Sequence, residues 1–135
     1  MMEVEGQNAY GSGDSYLFDL STDGLPAVED AGGMPGSEAA LAALVDEVRW
    51  GAMRNKGSPV PRLVAVQGHV DGPRVPLYRH PADVLPRCEP WTPTVGRIRD
   101  AVAARTGQTC NHALVQLYRT PADSISEHSD KVRAR

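Results

Sequence analysis

The chain has 135 residues, 41% apolar and 23% charged, which suits one modest domain with a real hydrophobic core. Mean hydropathy is −0.36, and no apolar run approaches the roughly eighteen residues of a spanning helix, which argues against an integral membrane protein. The net charge of −3 hides an asymmetry: residues 1–36 hold seven acids and no Lys or Arg, while residues 37–135 hold all fourteen bases against ten acids. A mildly basic body of that kind tolerates a polyanionic partner without demanding one.

The acidic leader, residues 1–36, also contains seven glycines and only short apolar clusters such as Tyr16-Leu17-Phe18. It cannot bury enough surface to offset its ordering entropy, so it is expected to be a disordered, solvated tail; a transient docking motif over 16–20 is the alternative. With no Lys or Arg before Arg49, neither a secretory signal peptide nor an Arg-rich transit peptide fits. Cys88 and Cys110 are too few and too far apart for a disulfide scaffold or a C-x-x-C site. A reducing compartment, nuclear or cytoplasmic, is therefore expected.

The ordered domain is expected over 37–135. Ser37 is a candidate N-cap, and Leu41, Leu44, Val45 and Val48 recur at helical spacing up to Gly51. Val60-Pro61-Arg62-Leu63-Val64-Ala65-Val66 reads as a strand closed by Gln67-Gly68, with Pro61 near its start or on an edge. Asp71-Gly72-Pro73 is a turn, and 75–78 predicts a short returning strand. A proline-rich stretch then leads to a second helix, with Thr92 as N-cap, Pro93 at the first helical position, Val95, Ile98 and Val102 as its apolar stripe, and Gly107 as its stop. Arg97, Arg99 and Arg105 on this helix suit solubility as well as phosphate contact.

The last thirty residues carry the chemistry. Residues 113–119 alternate as a strand, with Ala113, Val115 and Leu117 on one face and Leu114, Gln116 and Tyr118 on the other. His112 lies just before it. After the turn Thr120-Pro121-Ala122-Asp123, residues 124–130 alternate again, placing Ser124, Ser126, His128 and Asp130 on one side. An imidazole and a carboxylate two apart on an extended chain can bind one cation at adjacent positions, as a two-His-one-carboxylate triad requires. Taken alone, H-x-D is a short pattern, and a polar surface hairpin accounts for it more often.

The run Asn111-His112-Ala113-Leu114-Val115-Gln116-Leu117-Tyr118-Arg119, followed by Asp123, Ile125, Glu127, His128 and Asp130, resembles the AlkB family. These are Fe(II)- and 2-oxoglutarate-dependent dioxygenases that oxidatively demethylate nucleic acids or, in some branches, proteins. The segments Pro61-Arg62-Leu63 and Pro76-Leu77-Tyr78-Arg79 and the helix over 90–105 also look like the family's N-terminal portion. The resemblance implies an α+β fold, an incomplete double-stranded β-helix (jelly-roll) with N-terminal helices. It implies His128 and Asp130 as iron ligands, and Tyr118 and Gln116 as contacts to the cosubstrate 2-oxoglutarate. Gln116 stands where the family commonly has Asn, one methylene shorter.

The resemblance also implies a distal histidine and an oxoglutarate-pairing arginine that no residue here matches. His69, His80 and His112 are better read as surface or packing residues. The expected function is an AlkB-like dioxygenase for N-methylated nucleic acid, with this chain a fragment of weak or no activity. A non-catalytic interaction fragment and a small nucleic-acid-binding protein are the alternatives. A flipped methylated base would need a stacking group, for which Trp91 and Tyr78 are candidates, although core packing explains them more often. Strands left without partners and an uncovered Val115/Leu117 face predict that the chain alone is only partly folded.

Overall fold

The computed structural model describes residues 7–10, 15–17, 36–76 and 86–128. Phe18, Tyr78, His80 and Asp130 lie outside them. The architecture is α+β: strands β1 (Gln7–Tyr10) and β2 (Ser15–Leu17), helix α1 (Gly36–Glu47), and strands β3 (Arg54–Asn55), β4 (Ser58–Pro59), β5 (Leu63–Gly68) and β6 (Cys88–Pro90). Helix α2 (Pro93–Thr106) and strand β7 (His112–Leu117) complete it.

A three-stranded sheet in the order β6-β5-β7 is the centre of the molecule. β5 runs antiparallel to β7, from Leu63 opposite Leu117 to Gly68 opposite His112. It runs parallel to β6, with Val66 opposite Cys88. Gly51 bridges β5 at Val64 through a mutual pair of 2.9 Å bonds, extending the β6 side. Val64, Ala65, Val66 and Gln67 are all buried, as a central strand with both faces covered requires. On one face Ala65 meets Val48 of the α1 exit and Val95 of α2, with Leu44, Trp50, Trp91, Ala113 and Val115 packed around them. β7 forms as expected, with all six of its residues half-buried, and the packing of Val115 on this core corrects the expectation that its face is uncovered.

Several boundaries differ from expectation. The first helix begins at Gly36, so Ser37 sits in its first turn and is not the N-cap. Its inward face runs through Ala40, Leu44 and Val48, while Leu41 (56% exposed) and Val45 (47%) look outward. A helix buries positions four apart on one side, and the neighbours one step on rotate by about 100° toward solvent. The helix ends at Glu47, and Gly51 pairs with β5 instead of stopping it.

The strand expected over 60–66 starts three residues later. Arg62 N donates to the Val60 carbonyl at 2.8 Å, and this tight bend at Pro61 delays entry into the ladder. Asp71 and Arg74 do close a turn around Gly72, whose φ of 57° is a glycine conformation. Val75 and Pro76 form no strand. Within the leader expected to be disordered, β1 and β2 pair as an antiparallel hairpin with a register shift between Asn8 and Tyr10. The sequence between them, Gly11-Ser12-Gly13-Asp14, is rich in turn formers.

The second helix starts and stops as expected, at Thr92-Pro93 and at left-handed Gly107, whose N–H donates to Ala103 O at 2.9 Å. Its N-terminus is capped from elsewhere, however. Glu47 Oε2 accepts from Thr94 N at 3.2 Å, so the end of α1 supplies the negative charge that the positive end of α2 favours. Gln67, 1% exposed, accepts from both Thr92 N (3.0 Å) and Thr92 Oγ1 (3.1 Å). That pair of bonds is what admits a polar side chain to the core strand. In the apolar stripe, Val95 is buried, but Ala101 and Thr94 are the buried neighbours where Ile98 and Val102 were expected.

Candidate functional site

The site is assembled where β7 leaves the sheet. Gln116, on the face of β7 opposite Ala113 and Val115, pairs with Val64, and Tyr118 sits one residue beyond the strand, 44% exposed. The chain then turns back over 119–123. Asp123 closes this turn by accepting from Arg119 N (2.8 Å), Nε (2.8 Å) and Nη2 (3.1 Å), while its own N–H donates to Thr120 O at 3.0 Å. The Arg119 side-chain hydrogen bonds, and then its backbone N–H, hold the Asp123 carboxyl below its ordinary value of 3.8. A two-pronged guanidinium–carboxylate bond fixes direction as well as charge, which suits a turn that must aim the segment leading to His128.

That segment is anchored to the entrance of β5. Ser124 N donates to Pro61 O at 2.8 Å. Arg62, only 7% exposed, donates through Nη1 to Ser124 O at 3.1 Å and through Nε to Gln116 Oε1. One buried guanidinium thus ties together the β5 entrance, the strand with the candidate cosubstrate amide, and the root of residues 124–128. Burying an arginine demands such partners, since an unpaired charge inside a protein is strongly unfavourable.

Residues 124–128 are not the strand that was expected. Beyond Ser124 they are exposed, and a strand forms only where a neighbour takes up its N–H and C=O groups. His128 Nδ1 lies 2.8 Å from the Ser126 carbonyl oxygen. A carbonyl only accepts, so Nδ1 carries the hydrogen that it donates to this oxygen. A backbone carbonyl holding one ring nitrogen in this way orients many metal-ligating histidines. Asp130, the second candidate ligand, is outside the described residues. Among the described residues, no three His, Cys, Asp or Glu side chains gather closely enough to hold a metal ion.

The remaining histidines and aromatics fall elsewhere. His112 is the first residue of β7 and not a loop residue before it, and its Nδ1 lies 2.8 Å from Asn111 Oδ1. His69 lines an open groove of about 340 Å³ with Trp91, Arg99, Asp100 and Cys110. This groove lies at the Gly68 end of β5, five residue steps or roughly 16 Å from the Arg62 end. Trp91 packs on the core, with the Arg99 guanidinium 4.7 Å from its ring centre, and Arg99 also pairs with Asp100 at 2.9 Å. That cation is thus engaged within the fold. Burial, and secondarily Glu89, pushes the Cys88 thiol above its ordinary value, so it is a weak nucleophile.

Arg62 is the residue that sequence reasoning missed. The available signal was a single charge inside the apolar run Val60-Pro61-Arg62-Leu63-Val64, where a buried charge calls for a partner.

No family model matches the chain. Over 45 residues, a third of its length, it is 47% identical to the DNA oxidative demethylase ALKBH2 of Mus musculus, covering 19% of that protein. The Homo sapiens protein of the same name is 47% identical over 45 residues, 17% of its length, and the Bos taurus protein 44% over 45 residues, 16% of its length. The match thus spans less than a fifth of each of these curated relatives. No helix among the described residues is long and apolar enough to cross a membrane. What the chain shares with these proteins is local, an ALKBH2-like stretch of 45 residues.

Proposed function

We propose that this chain carries part of an AlkB-like Fe(II)- and 2-oxoglutarate-dependent dioxygenase site that oxidatively demethylates N-methylated DNA. The observation that carries the reading is the delivery of three side chains by one continuous segment. β7 presents Gln116 and then Tyr118, the Arg119–Asp123 turn reverses the chain, and His128 comes next with Nδ1 against the Ser126 carbonyl. The local likeness to the ALKBH2 demethylases points to the same chemistry and to methylated DNA as the substrate class.

The donor set suits the groups it would hold. His128 would offer Nε2 to iron, with Asp130 as its neighbour. The Gln116 NH2 group and the Tyr118 hydroxyl are hydrogen-bond donors suited to the carboxylates of 2-oxoglutarate. When bound, iron would let O2 oxidise both an N-methyl carbon, which leaves as formaldehyde, and 2-oxoglutarate, which becomes succinate and CO2. The protein's part is to orient the cosubstrate through Gln116 and Tyr118 and to hold the His128 ring through its Nδ1 bond to the Ser126 carbonyl. A base within duplex DNA would have to leave the stack to reach these groups.

A second reading is a non-catalytic interaction piece, in which the mildly basic body binds a polyanion without turnover. The two separate in a turnover assay of the full chain with Fe(II), 2-oxoglutarate and an N-methylated oligonucleotide. The dioxygenase reading expects slow, oligonucleotide-stimulated succinate formation that His128→Ala abolishes. Salt-sensitive oligonucleotide binding with no succinate above background would replace it with the second reading.

A further inference from the structure

We propose that Arg62 is a positioning residue for the candidate cosubstrate site, setting which end of the Gln116 amide faces a bound 2-oxoglutarate; this rests on the dioxygenase reading above. A glutamine amide has two chemically opposite ends, an oxygen that accepts and an NH2 that donates. For a dicarboxylate, only the donating end is useful. Rotation about the last side-chain bond exchanges the two, and nothing in an isolated glutamine chooses between them.

Arg62 makes the choice. Its guanidinium has donors only, so the atom of Gln116 beside Nε must be the carbonyl oxygen, which directs NH2 away from the arginine. The guanidinium is itself held by its Nη1 bond to the Ser124 carbonyl at 3.1 Å, and it is 7% exposed, so it has little freedom to swing away. The extra methylene of glutamine over asparagine acquires a purpose here: it spans the gap from β7 to the β5 entrance. Ser124 is pinned by the same side chain four residues before His128, so one group sets both the amide and the root of the segment bearing the candidate ligand.

The test is calorimetric titration of 2-oxoglutarate into the full chain with Mn(II) in place of Fe(II), so that no turnover occurs. It is combined with the 15N–1H side-chain NH2 resonance of Gln116. In the unaltered chain, 2-oxoglutarate binds and shifts that resonance. Arg62→Met, which retains bulk and removes every donor, is expected to weaken binding about tenfold and to suppress the shift. Arg62→Lys, which restores a donor at the same place, recovers part of both, and Gln116→Asn weakens binding to a similar degree because it no longer reaches Arg62. Slow amide exchange at Ala65 and Val115, which face each other across the pair, confirms that each variant keeps the β5–β7 ladder.

A purely structural role would make Met and Lys equivalent. If Arg62→Met binds 2-oxoglutarate and shifts the Gln116 resonance as the unaltered chain does, the positioning role is overturned while the dioxygenase reading stands. If the unaltered chain itself binds no 2-oxoglutarate, that reading falls and the role falls with it.

Discussion

At its Gly68 end β5 is packed so closely that an added methyl would meet the Asn111 carbonyl oxygen at 2.8 Å and Pro76 at 3.0 Å. At its other end the strand is held by polar bonds, from Arg62 to Gln116 and Ser124 and from Ser124 to Pro61. The first end is secured by shape, which tolerates no change of volume. The second is secured by direction and charge, which fix the orientation of side chains while leaving Tyr118 and residues 124–128 open to solvent. The groups with chemical potential sit at the second end. A framework that is rigid by packing at one end and aimed by hydrogen bonds at the other is a reasonable basis for a site on exposed chain.

This contrast can be broken in graded steps. Met53 is fully buried, its carbonyl taking the Val60 N–H beside the β5 entrance, and Met53→Ala is expected to cost about 2–5 kcal/mol in chemical denaturation, since the cavity adds to the lost transfer energy. Gly68→Ala is next, at about 1–3 kcal/mol, because two backbone segments would have to separate to admit the methyl. A cost near zero there would show that the packed end is softer than its contacts imply. Glu47→Gln removes the charge from the α2 N-terminus while retaining an acceptor, and should cost about 0.3–1 kcal/mol, less at high salt.

The smallest effect belongs to the polar end. Asp123 has a lowered carboxyl pKa, so the folded turn favours its ionised form. That stabilisation is present above pH 3.8, the ordinary value, and is lost as the pH falls through the lowered one. Arg119 stays charged throughout. The Arg119 amide proton should therefore hold a constant, hydrogen-bonded shift from neutral pH down to about 4 and move only below it. A change near pH 6 would point to a histidine and not to this carboxylate.

The helix over 93–106 was legible because its start and stop are local: Pro93 and Gly107 act through their own backbone angles. β7 was legible through the two-residue alternation of its sequence, although in the fold all six of its residues are half-buried. Other features depended on distant partners. The burial of Arg62 beside the β5 entrance depends on Gln116 and Ser124, fifty-four and sixty-two residues away. Leu41 and Val45 fit a helical stripe, but the position of α2 selects the Ala40/Leu44/Val48 side of α1. Alternation over 124–130 suggested a strand, yet alternation supplies no partner strand. In the candidate site, Gln116 and Tyr118 rest on the resemblance to the AlkB family, and His128 on that resemblance together with the H-x-D spacing. Arg62 was missed, because a positioning role shows only in contacts.

The most direct test of a metal site rooted at the polar end is Mn(II) titration of the 15N-labelled full chain with saturating 2-oxoglutarate. The expected result is selective paramagnetic broadening of resonances at Gln116, Tyr118 and His128, removed by His128→Ala, with His69 and His112 at the far end of the sheet unaffected. Broadening centred on His69 or His112, or unchanged by His128→Ala, would contradict it.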